Sequence, residues 1–118
     1  MKTVPRLVTP QWAAALLQRT QELVAAGKMN QRPISPETVE QYTRAILADK
    51  WVFTHQGMAI NELGGIADGQ QRAAAIVRAD RSVRMLVTTN MPLVAMRNGY
   101  SIATIDAVDR GRVRPVGQ

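Results

Sequence analysis

The run Asp68-Gly69-Gln70-Gln71-Arg72 contains the residue types from which a phosphate cradle is built. Glycine at 69 lets a backbone come close to a ligand. Ala73 to Ala79 is strongly helix-forming, so residues 70–72 fall in a first helical turn. The unpaired amides of such a turn and the positive end of its dipole favour an anion. Arg72 adds a flat fork that holds two oxygens at once, and Gln70 and Gln71 add neutral donors. The chemistry this serves is capture of a nucleotide or nucleic-acid phosphate. The same residues also have a plain structural reading, with Asp68 as helix cap, Gly69 as turn and Arg72 in a surface ion pair.

Three residues upstream are candidates for the same ligand. His55, flanked by Thr54 and Gln56, either faces the ligand with Gln56 beside it, touching a base or ribose, or is a hydrogen-bonded structural histidine at a strand start. Arg32 either reaches the same anion or forms an exposed ion pair. Asp68 could orient Arg72 or hold magnesium, but a helix cap needs no metal, and the cap is the preferred reading. Glu62 lies in a turn and is read as solvated. A lone carboxylate does not make a two-metal nuclease, which needs several converging acids, so no metal site is assigned and nuclease activity is not expected. Arg78, Arg81 and Arg84, together with Arg110, Arg112 and Arg114, could form a basic surface for DNA backbone, giving salt-sensitive, sequence-tolerant binding. The plain alternative is a solvated face and a charged tail. Trp12 and Trp51 read as core or interface anchors rather than base-stacking platforms.

Helices, strands and turns must position these groups. Residues 1–10 are extended. Thr9-Pro10 starts a helix over Gln11 to Ala26, with Trp12, Leu16, Leu17, Leu23 and Val24 on its apolar side and Gly27 as its stop. Ser35-Pro36-Glu37 starts a second helix running to about Asp49, with Val39, Tyr42, Ile46 and Leu47 on one face. Gly57 to Ile60 reads as a strand, Asn61 to Gly65 as a hairpin turn, and Ile66-Ala67 as the returning strand. Ser82 to Thr88 alternates as a partly buried strand. Asn90 to Gly99 admits a short helix, and Tyr100 to Val108 a strand or a helix. The order α, α, β, β, α, β predicts a mixed α+β class in one domain over 1–118, with 1–29 a helical extension, 30–90 the core and 109–118 a basic tail.

Composition narrows the partners. The chain has 118 residues, 46% hydrophobic and 4% aromatic, so its core is aliphatic. It has no cysteine and one histidine, which excludes a disulfide scaffold, a thiolate zinc site, a cysteine nucleophile and a multi-histidine metal site. Fifteen Lys and Arg, twelve of them Arg, against nine Asp and Glu give a net charge of +6. An arginine-rich basic domain suits an anionic partner: nucleic acid, nucleotide or an acidic protein surface. No run approaches the roughly 20 apolar residues of a membrane span. Pro5, Arg6 and Pro10 interrupt any signal-like stretch, so a cytoplasmic setting and no membrane partner are expected.

The order Asn30-Gln31-Arg32-Pro33, a helix, Trp51, Thr54-His55-Gln56-Gly57, then Asp68-Gly69-Gln70-Gln71-Arg72 leading into Ala73-Ala74-Ala75-Ile76-Val77 resembles the ParB/sulfiredoxin superfamily. It is most similar to small phage and actinobacterial ParB-like proteins with a DGQHR signature. The similarity covers roughly residues 30–90, and Ile105-Asp106 to Arg114 is similar to the IDxGxxR ending of those proteins. The resemblance implies a compact α+β fold with a small mixed sheet and flanking helices, whose Gly-x-x-Arg turn binds phosphate. It points to CTP or ATP, with Mg2+ if a nucleotide is bound. The absence of cysteine excludes sulfiredoxin chemistry. Gln71 stands where the phage signature has His; it can still donate a hydrogen bond but cannot shuttle protons at neutral pH. Hydrolysis is therefore left open, with no visible catalytic set. The chain carries no helix-turn-helix of a full partition protein, so a complete segregation clamp is not expected. The expectation is a phage or mobile-element protein that binds phosphate through Gly69 to Arg72. Two alternatives stand beside it: a non-enzymatic protein that uses the fold to bind a host protein or a second copy of itself, and a small DNA-binding regulator.

Overall fold

A computed structural model describes residues 1–30, 33–51 and 57–93 and the backbone of 96–97 and 100–101. Its elements run β1 (Lys2–Val8), α1 (Pro10–Ala25), α2 (Pro36–Leu47), β2 (Met58–Asn61), β3 (Ile66–Asp68), α3 (Gln70–Ala79), β4 (Val83–Met91), β5 (Met96–Arg97) and β6 (Tyr100–Ser101). The class is α+β, as the sequence implies.

Both proline-led helices start where their caps place them. The Thr9 hydroxyl accepts from the Trp12 amide at 3.1 Å, and the Ser35 hydroxyl from the Thr38 amide at 3.3 Å. In α1 the buried stripe is Ala13, Leu16, Thr20 and Leu23, while Trp12 and Leu17 are only partly buried. Polar Thr20 lies on that stripe because both sides of its hydroxyl are satisfied: it donates to the Leu16 carbonyl at 2.7 Å and accepts from the Ile66 amide at 2.9 Å. In α2, Val39, Thr43 and Ile46 face inward, whereas Leu47, expected on that face, is 48% exposed.

Four strands form one sheet in the order β1-β4-β2-β3. β1 and β4 pair antiparallel from Lys2 opposite Thr89 to Val8 opposite Val83. β2 runs parallel to β4 and antiparallel to β3, so the sheet is mixed. A parallel neighbour needs a long crossover, and α3 supplies it between β3 and β4. Val83, Met85 and Val87 alternate inward along β4 and meet Val8, Met58, Ile60 and Ile66 with side chains from all three helices. α3 contacts both α1 and α2, and its buried Ala73, Ala75 and Ala79 allow that close approach. Pro5 lies on the edge strand, the position in a sheet where a missing N–H is tolerated.

The extended N-terminal segment is a sheet strand, β1, and α1 packs on the core, so the element order gains a leading strand. Residues 90–99 contain no described helix; β4 continues to Met91, and Met96–Arg97 pairs with Tyr100–Ser101. Residues 102–108 and the 109–118 tail lie outside the described residues. Among the described residues no helix is long and apolar enough to cross a membrane.

Candidate anion site at the first turn of α3

The β2–β3 hairpin delivers the chain to this turn. Its geometry comes from Asn61, whose Oδ1 accepts from the amides of Leu63 at 2.9 Å and Gly65 at 3.0 Å. β3 ends at Asp68, and the chain then bends through Gly69, at φ +101°. A side chain is disfavoured there twice over. The dihedral belongs to the left-handed side, and a Cβ would sit 3.2 Å from the Met58 Cα and 3.3 Å from the Gly57 carbonyl. Gly57 is constrained by space alone, because a Cβ on it would collide with the Leu86 carbonyl of β4. The two glycines let three backbone segments converge.

Gly69 is itself the cap of α3, with no side-chain cap bond and no acidic residue in the first turn. Asp68 as helix cap is thus corrected: Asp68 is the last residue of β3, and the cap position falls one residue on, at a residue without a side chain. The Asp68 carboxylate instead lies 3.4 Å from Nη2 of Arg72, the orienting contact weighed as its alternative. Arg72 is thus in an ion pair, as expected, but its own end of the pair is buried. Its side chain is 11% exposed, and its Nε donates to the Gly57 carbonyl at 2.8 Å. Gln71 faces a different neighbour, its Oε1 accepting from the Ser35 amide at 2.6 Å. One turn of helix therefore fastens the start of β2 through Arg72 and the start of α2 through Gln71.

The other expected residues fall partly inside and partly outside the described residues. Arg32, His55 and Gln56 lie outside the described residues. In sequence, Arg32 is three residues before Ser35 and His55 two before Gly57, the backbone positions that Gln71 and Arg72 hold. Arg78, Arg81 and Arg84 are exposed. Arg78 is on α3, Arg81 lies 3.9 Å from Asp49, and Arg84 is opposite Leu7 on the sheet face turned away from the core. Arg110, Arg112 and Arg114 lie outside the described residues. Trp51 packs edge-on against Tyr42 at 5.5 Å, and Arg6 lies 4.2 Å over the Trp12 ring, so both tryptophans serve as packing anchors. Glu62 is exposed as expected, and it also accepts from the Leu93 amide at 3.2 Å.

Sequence reading missed Gly57 and Ser35 as partners of the turn. Both contribute through the backbone, so residue type alone does not mark them. Among the described residues there is no group of three or more His, Asp or Glu placed to hold a metal ion. Chemically the turn can orient a cation, paired with the Asp68 carboxylate, at a helix whose first turn contains no acidic residue. No family model, no curated protein and no solved structure matches the chain.

Proposed function

We propose that this chain is a ParB-like module that binds the phosphate of a nucleotide or a nucleic acid at the first turn of α3. One observation carries the reading: Arg72, largely buried, is held by Gly57 and Asp68 within the first turn of a helix that has neither a side-chain cap nor an acidic residue there. A fixed guanidinium at the positive end of a helix dipole is an arrangement that favours an anion. The turn's bonds to Gly57 and, through Gln71, to Ser35 support the reading, as does the resemblance of 30–90 to ParB-like proteins. In this reading the amides of residues 70–72 and the side chain of Gln70 meet the ligand. Arg72 supplies the field and the geometry, and Gln71 anchors α2. The ligand class is CTP or ATP, with Mg2+ accompanying the nucleotide, and the setting is cytoplasmic.

A thermal-shift panel of CTP, ATP and inorganic phosphate, with and without Mg2+, tests this on the full chain. A ligand at about 100 times its Kd stabilises by roughly 2.7 kcal/mol and raises the melting temperature. The informative variant is Gln70→Glu. A carboxylate at a helix start is favourable for the fold by roughly 0.3–1 kcal/mol but repels a bound phosphate. The variant should melt at or slightly above the wild-type temperature and lose the nucleotide shift. A wild-type chain indifferent to every nucleotide, or a Gln70→Glu chain that keeps the full shift, overturns the proposal. DNA binding that fades steeply with salt and is untouched by Gln70→Glu would move the function to the surface of Arg78, Arg81 and Arg84 and the arginine tail.

A further inference from the structure

We draw no further inference here: the strongest candidate, the outward face of the β1–β4 pair where Pro5, Leu7 and Leu86 lie exposed beside Arg84, carries nothing because no feature of the structure shows what covers it.

Discussion

Arg72 and Gly69 are a single device at the residue scale. The glycine bends the chain so that the arginine, three residues on, lies against the backbone of Gly57 rather than in solvent. Gly69→Ala forces a side chain into a left-handed conformation and against Met58. That strain should cost about 1–3 kcal/mol, and at this chain length each kcal/mol lowers the melting temperature by roughly 3–6 °C. A calorimetric scan in which Gly69→Ala melts with the wild type would show that the turn is not strained as described. The location of this turn was legible in the sequence, because a glycine before an alanine-rich helix reads locally. The direction of Arg72 was not. Its acceptor is fifteen residues away along the chain and is a carbonyl, which every residue type has. The cap reading of Asp68 failed because α3 begins one residue later than that reading needs, with Gly69 in the cap position.

At the scale of elements, buried polar residues separate connections between elements from groups satisfied within one. Thr20 and Thr43 both lie on inward helix faces, and both donate to the carbonyl four residues back, each at 2.7 Å. Thr20 additionally accepts from the Ile66 amide, joining α1 to β3. Thr20→Val leaves a buried amide without its acceptor and should cost about 1–3 kcal/mol. Thr43→Val removes a donor from a carbonyl that belongs to the helix ladder and should stay within about 0.5 kcal/mol of wild type. Urea unfolding of the two variants checks this, and equal losses would contradict it. Helix starts were readable because Thr9-Pro10 and Ser35-Pro36 act through neighbours three residues on. The inward stripe of α1 was read less well. Hydrophobicity marked Leu16 and Leu23, which are buried, and Trp12 and Leu17, which pack at the margin of the core, but it passed over Thr20, buried with its hydroxyl bonded to the Ile66 amide.

For the molecule as a whole, the sheet has a core face and an outward face, and β4 divides buried from exposed by alternation over residues 83–87. Met85 is fully buried while its neighbour Leu86 is 38% exposed. Met85→Ala should therefore cost about 2–5 kcal/mol, and Leu86→Ser should stay within about 0.5 kcal/mol. A guanidinium titration that reversed this order would put the core on the other face. The α+β class followed from the sequence of elements, and the β4 alternation was visible residue by residue. The role of residues 2–8 was not, since Pro5 and a run of exposed side chains hide a strand whose pairing partner lies some eighty residues later. The central proposal is that the turn of Gly69 to Arg72 binds a nucleotide phosphate. The direct measurement is an amide-resolved NMR titration of the isotope-labelled full chain with CTP and with ATP in the presence of Mg2+. Saturable shifts that are largest at the amides of Gly69, Gln70, Gln71 and Arg72 are expected. Saturable shifts centred on Arg78, Arg81 and Arg84 with those four amides unmoved, or no shifts at all, would contradict the assignment.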